Sequence, residues 1–528
     1  MSQLPTRKTS NGNEIETRPL YIEEWLDSLP YIDFNKTSAL LYDALVATNK
    51  TTIKSATRIE LVELYNRPYQ YYVESQIKAG AQHTLQTIDA MQSQVSRMKQ
   101  IAVALSFTCK IAFDTALNKK TLWKQSKPPV EAMLMSMNYL SHALVFSYLE
   151  YAPVPKNVWQ QLNFIYDFAE SIGCHKKTYS IPGANNKNVN TSIDHTFKKI
   201  IMASLVDPHH LPFGAIWEIY DQLDAWADYT QINPMRFESN TTGHFVLELK
   251  SDDKPIPLAK FNPDNSNENN RLLDSTPLEN LIQKQIDLLQ MGQQIDKSIV
   301  LSPFYAKSLL SHMLKAWGLP PKRYFPRKAK SGHLNIVTGV SAIYYCLNNG
   351  KAFISNVSVD ENDEIDVSEN LTATETPSQI NYDPESWRVV DQGSGGYAII
   401  RDDKPKKAIR VGDLVGINNG IEENHWSIGV VRWLMVSKGI HKVGLQIISE
   451  AAKPITLCAL TGSQADRESR PAFLMDNNSK RHSIIAEKGL YMANREMEIK
   501  NEGEKELIVA DDLNESSLSY EVFNYKKQ

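Results

Sequence analysis

The sequence predicts a multidomain α+β protein: an N-terminal all-α region of helical hairpins, then an antiparallel β-barrel and a small C-terminal β-module. Three observations predict it. Apolar residues recur three and four apart through most of 20–235, the period of helices with one buried stripe. Prolines then crowd into "GLPPKRYFPRKAKSG" (318–332) and end helix for good. After that stretch, short β-branched runs alternate with turn residues at the spacing of a small barrel.

A chain of 528 residues carries two to four domains and can bury its own cores. Its net charge of −4 argues against a general binder of nucleic acid or acidic membrane, so an anionic ligand must be met by a local patch. Cys109, Cys174, Cys346 and Cys458 are too scattered for a metal pair or redox dithiol and read as reduced thiols of a cytoplasmic protein. Residues 1–19 are polar, lack the apolar core of a signal peptide and read as a lead without fixed structure. Segments 101–117 and 132–152 are strongly apolar, but Lys110 and Asp114 interrupt one and Asn138, His142 and Glu150 the other, so both read as buried helices.

The helical domain spans 20–235. Leu40, Leu41, Ala44 and Leu45 mark a helix over 37–48 with Thr37 as its cap, and Ile59, Val62 and Leu64 mark another over 55–66. Helices over 131–151 and 157–172, joined by "APVPKN" and closed by Gly173, form a helical hairpin. Trp159, Leu162 and Tyr166 keep the W-x2-L-x3-Y spacing of half a tetratricopeptide repeat, with Asn163 at the usual glycine, and read as hairpin packing. Helices over 196–206 and 213–229 flank "DPHHLPFG", whose His209 and His210 have no partner at metal-ligand spacing. The second of these helices carries Ile216, Ile219, Tyr220, Leu223 and Trp226 on one stripe.

A mixed connecting region follows at 236–318: a strand and turn over 243–258, an Asn/Asp-rich loop over 262–275, and helices over 277–298 and 304–317. The barrel domain is expected over 319–460, with strands at 333–347, 387–400, 408–418, 426–437 and 441–449 and an acidic flexible insertion at 355–386. Residues 461–528 read as a second small β-module, where Met497 and Ile499 alternate with charged neighbours.

Two features carry chemistry. Lys322, Arg323, Arg327, Lys328 and Lys330 concentrate five positive charges in a chain that is otherwise slightly acidic, and Arg323 and Arg327 stand as R-x-x-x-R. In "RVVDQGSGGYAII" (388–400) a β-branched run collapses at Asp391, Gly393, Ser394, Gly395 and Gly396 and then resumes. Gly395 and Gly396 read as a sharp turn with positive φ that brings a ligand against bare backbone. Trp433 and Val443 read as barrel core; Trp387 reads as core too, with stacking on a base as the alternative.

The order R-x-x-x-R, strand, "DQGSGGY", strand, "GDLVGI", "IGVVRW", "KVGLQII" resembles the PilZ domain, a β-barrel receptor module for the bacterial second messenger cyclic di-GMP. The resemblance covers about 320–350 and 387–450 and implies a ligand site of Arg323, Arg327, Asp391, Gly393 and Gly396, with Lys322 and Ser394 beside it. Gly393 stands where the family has serine, and Ser394 follows one place later. It also implies a non-enzymatic receptor whose domain arrangement changes on binding and which acts through a protein partner in motility, type IV pili or biofilm control. The alternative is a helical scaffold with a degenerate barrel that binds proteins only. Arginine suits this ligand, because its fork pairs with phosphate oxygens or guanine O6 and N7 and its plane stacks on a purine. No nucleophile elbow, Walker loop or H-E-x-x-H motif is present in the sequence.

Overall fold

In the computed structural model the chain divides into two compact units, residues 1–322 and 323–528. The structure describes residues 6–528 apart from 10–11, 79–87, 119–129, 184–186, 297, 300, 302–305, 319–327, 330, 354–381, 394, 421–424, 462–467, 476–481, 502–503 and 518.

The first unit opens with a hairpin, β1 (Thr6–Thr9) on β2 (Gly12–Ile15), where the sequence reading expected none. Helices α1 (Pro19–Asp27), α2 (Phe34–Lys50), α3 (Ser55–Tyr72) and α4 (Ile88–Asn118) follow. The cap of α2 is Asp33, whose carboxylate accepts from the Lys36 amide at 3.0 Å, whereas the Thr37 hydroxyl donates to the Pro30 carbonyl.

The expected helical hairpin is α5 (Val130–Leu149) and α6 (Val158–Ser171), ended by Gly173 at φ 67°. Helix α5 is buried on nearly every face. Its polar groups are therefore answered within the protein: Ser147 donates to the Ala143 carbonyl, Ser136 pairs with Ser106, and His142 Nδ1 lies 2.8 Å from the Tyr69 hydroxyl. Trp159, Leu162 and Tyr166 are buried, and Asn163 donates to the carbonyls of Glu248 and Ser251, a packing role that glycine cannot fill.

A hairpin of β3 (Tyr179–Pro182) and β4 (Asn188–Thr191) interrupts the helices before α7 (Ile193–Leu205) and α8 (Ala215–Trp226), whose whole predicted stripe is buried. His210 Nδ1 sits 3.0 Å from Asp207, and the His209 ring meets Tyr148 edge-on. Strands β5 (Gln231–Pro234), β6 (His244–Glu248), β7 (Ile256–Pro257) and β8 (Asn270–Asp274) make a sheet in the order β5-β8-β6-β7, so the loop expected over 262–275 ends in a strand. Helices α9 (Thr276–Gln290) and α10 (Ala306–Trp317) complete the unit. The stretch 236–318 does not stand apart: Phe245, Leu273, Ile282 and Trp317 belong to the same apolar core as the helices, and Trp317 Nε1 donates to the Met202 carbonyl at 3.0 Å. Among the described residues no helix is long and apolar enough to cross a membrane.

The second unit contains β9 (Lys328–Ala329), β10 (His333–Thr338), α11 (Val340–Leu347), β11 (Glu385–Gly393), β12 (Gly396–Arg401), β13 (Leu414–Asn418), β14 (Ser427–Ser437) and β15 (Ile440–Ser449). They form an antiparallel barrel in the order β10-β13-β14-β15-β12-β11, closed by pairing of β11 with β10, with β9 added on β11. The strand expected over 333–347 stops at 338 because Gly339, at φ 94°, turns the chain, and 340–347 become helix with Val340 and Ile343 against the barrel. The expected insertion 355–386 falls largely outside the described residues; its last two residues already belong to β11.

The C-terminal module is a second closed barrel, of β16 (Lys453–Ala459), β17 (Arg470–Met475), β18 (His482–Glu487), β19 (Glu496–Asn501), β20 (Glu504–Ser516) and β21 (Tyr520–Lys527), in the order β16-β17-β18-β21-β20-β19. The boundary expected at 460/461 thus lies one strand late, since β16 pairs with β17 and β19. Leu414, Trp426, Ile428 and Val430 of the first barrel share an apolar cluster with Phe473, Ile485, Tyr520 and Val522 of the second.

Candidate ligand-binding site

The glycine corner is the hairpin between β11 and β12. Gly393 pairs with Gly396, Gln392 with Tyr397 and Asp391 with Ala398, and a bulge falls between Val389 and Asp391. On the other edge of β11, Ala329 pairs with Asp391 and Lys328 with Gln392. These two backbone pairs attach Lys328 and Ala329 to the strand that carries Asp391. Lys322, Arg323, Arg327 and Ser394 themselves lie outside the described residues.

Strand alternation sorts the faces. Val389, Ile399, Val443 and Leu434 form one lateral row, all at most 5% exposed, and line the barrel interior. The adjacent row, Asp391, Ala398, Gly444 and Trp433, therefore points outward. Trp433 is a correction to the expected core: it is half-buried on the outer face, with its indole lying over Gly444, where a Cβ would stand 1.8 Å from Nε1. Ala398, in the same row, is completely covered. Val443 and Trp387 are core as expected.

Gly396 is also corrected. It does not have positive φ; instead, a Cβ there would stand 2.0 Å from the Leu445 carbonyl oxygen of β15. It is glycine because a neighbouring strand lies against it. Gly395 has open space around the position a Cβ would take.

Sequence reasoning missed Arg432 and Gln446. Gln446 is exposed, pairs directly with Gly396 and shares the outer face with the Asp391 row. Arg432 is the extra residue of the bulge between Val431 and Trp433. Its Nε donates to Gln446 Oε1 at 2.7 Å, and its Nη1 and Nη2 donate to the two carboxylate oxygens of Glu515 at 2.6 and 3.2 Å. Burial works against both charges, yet the Glu515 hydrogen bond raises the Arg432 pKa, and hydrogen bonds from Arg432 and Tyr520 carry Glu515 below its usual range. The available signal was an unpaired extra residue in the alternation of "IGVVRWLMV".

Two family models match the chain: the N-terminal domain of the cyclic-di-GMP receptor FimW over 21–235, and its middle PilZ domain over 244–386 and 358–454. With the closed barrel and its glycine corner, they define a PilZ-domain protein. Both models are described as domains of the cyclic-di-GMP receptor FimW, and between them they match 21–235 and 244–454. The cyclic-di-GMP receptor FimW of Pseudomonas aeruginosa PAO1 is 20% identical over an alignment that covers 99% of this chain and 93% of that protein.

Proposed function

We propose that the protein is a non-enzymatic cytoplasmic receptor for cyclic di-GMP, bound on the outer face of the first barrel. Arg323 and Arg327 grip phosphate oxygens or the guanine O6/N7 edge, and Lys322 adds charge. Asp391 cannot attract a phosphate, so it accepts from a guanine N–H edge or fixes the corner. Gly393 and Gly396 keep the corner low, and Ser394 supplies the hydroxyl one place later than in the family pattern.

The pairing of Lys328 with Gln392 and of Ala329 with Asp391 supports this reading, because those two residues follow the arginine motif directly in sequence. Charge-assisted hydrogen bonds contribute about 1.5–3 kcal/mol each, so a few account for much of the roughly 8 kcal/mol of micromolar binding. The motif lies in the segment between the two units. Ligand capture changes how the units are arranged and is read by a protein partner in motility, pili or biofilm control.

Titration calorimetry tests the site. The double variant Arg323→Ala/Arg327→Ala loses cyclic di-GMP affinity by about a hundredfold or more while its melting curve stays in place. Wild-type-like binding by that variant would sink the assignment. Gly393 at the family's serine position favours a second reading, a scaffold that binds proteins alone. It requires no heat with cyclic di-GMP and a stable protein complex in its absence.

A further inference from the structure

We propose that Arg432 is a further ligand-binding residue of this site, held in the unliganded protein by Glu515 of the second barrel, so that a nucleotide phosphodiester and that carboxylate compete for one guanidinium. The inference rests on the cyclic di-GMP reading and adds to it a residue outside both motifs and a role for the second barrel.

Position comes first. Gln446 stands opposite Gly396, one strand away from the glycine corner and on the same outer face as Asp391 and Trp433. Arg432 bonds to Gln446, which places its guanidinium within a strand spacing or two of that corner, roughly 5–10 Å. The half-buried indole of Trp433 follows it in the chain, so a cation and a flat ring adjoin the site.

The hold on Arg432 is strong in geometry and limited in depth. Glu515 receives both terminal nitrogens, and the Tyr520 hydroxyl donates to the same carboxylate at 2.6 Å. The Arg432 and Glu515 side chains nevertheless remain 35% and 33% exposed, and a pair with that much solvent access is weak enough for a doubly anionic ligand to displace. The register breaks of β20 around Leu513 and Glu515 aim this carboxylate at the first barrel.

The barrels do not depend on the pair for cohesion. Trp426, Ile428 and Val430 pack with Phe473, Ile485 and Val522, and Ser519 donates to the Gly412 carbonyl at 2.8 Å. Displacement of Glu515 thus changes the charge at this contact without releasing the barrel. Because coupling of this kind is reciprocal, whatever loosens Glu515 raises ligand affinity.

Titration of the full-length protein with cyclic di-GMP tests the idea. Glu515→Gln binds roughly three- to tenfold more tightly than wild type, Arg432→Ala binds roughly tenfold or more weakly, and the double variant matches Arg432→Ala alone. If Arg432→Ala does not fold, as judged by its melting curve, the gain in Glu515→Gln decides the matter. Wild-type binding with an unchanged Glu515→Gln affinity overturns the competition and leaves the receptor reading standing. Absence of any wild-type binding overturns the receptor reading and this inference with it.

Discussion

The two barrels of the second unit share strand number and closure and differ in where they send their polar groups. The first turns them out: Asp391, Gln446 and Arg432 stand on its outer face beside Trp433. The second turns a carboxylate, Glu521, in and satisfies it there. Glu521, 4% exposed and in the same alternation as the inward Phe523 and Tyr525, accepts from the Gly489 and Tyr491 amides and pairs with Lys488. The same architecture thus presents charge outward in one case and buries a carboxylate in the other. The family-model matches end at residue 454, just inside the second barrel. Strand order does not distinguish the two roles; the direction of charged and hydrogen-bonding side chains does.

The sharpest way to break this comparison is to remove an inward group. Glu521→Ala strands two amides and a lysine and costs about 3–4 kcal/mol of second-barrel stability, read from chemical denaturation. A loss below about 1 kcal/mol would mean that the second barrel does not rely on its interior polar network. Next comes Gly396→Ala, whose methyl meets the Leu445 carbonyl; it destabilises the first barrel by about 2–3 kcal/mol with or without ligand. If it lowered affinity alone, Gly396 would be a ligand contact and not a packing one. Gly444→Ala forces Trp433 off its seat, at about 1–2 kcal/mol and a loss of cyclic di-GMP affinity by severalfold, with a shift in indole emission.

The smallest effect is a pH dependence of opposite sign in the two barrels. Burial pushes the Asp413 carboxyl of the first barrel from 3.8 up to about 6, partly offset by the Arg410 amide. The folded state therefore holds its proton longer than the unfolded chain, and stability falls as pH rises from about 4 to 6. Asp413→Asn removes that loss, so its advantage grows across this window to about 1–2 kcal/mol, less than the full shift implies because the side chain is only half-buried. Glu515 of the second barrel, lowered below its usual value of 4.5, contributes stability that is present above that value and lost as pH falls below it. Denaturant midpoints of the wild type, Asp413→Asn and Glu515→Gln, measured from pH 3.5 to 7.5, separate the two.

The helical stripes were legible because they are local: Ile216, Ile219, Tyr220, Leu223 and Trp226 reveal their common face by spacing alone. Residues 340–347 were not. "VSAIYYCL" is β-branched and aromatic, and only the turn at Gly339 and the seat for Ile343 over Gly416 select a helix. The arginine pair and the glycine corner could be picked out in sequence, but the reason for Gly396 could not, since it depends on a carbonyl of a strand some fifty residues away. Trp433 was misassigned because an extra residue in β14 reverses the inside-outside alternation after Val431. Arg432 stayed hidden for the same reason, and Glu515 could not be associated with it until the second barrel was in place.

Helix α5, walled in on nearly every side, sets a schedule for synthesis. Part of its cover, α7 and α8, is complete only about 80 residues after α5 has been made. At roughly 5–20 residues per second a sticky, water-averse rod waits several seconds beyond the ribosome for its partners. A nascent chain stalled between 150 and 190 should thus be the form most readily captured by a holdase chaperone, and one extended past 320 the least.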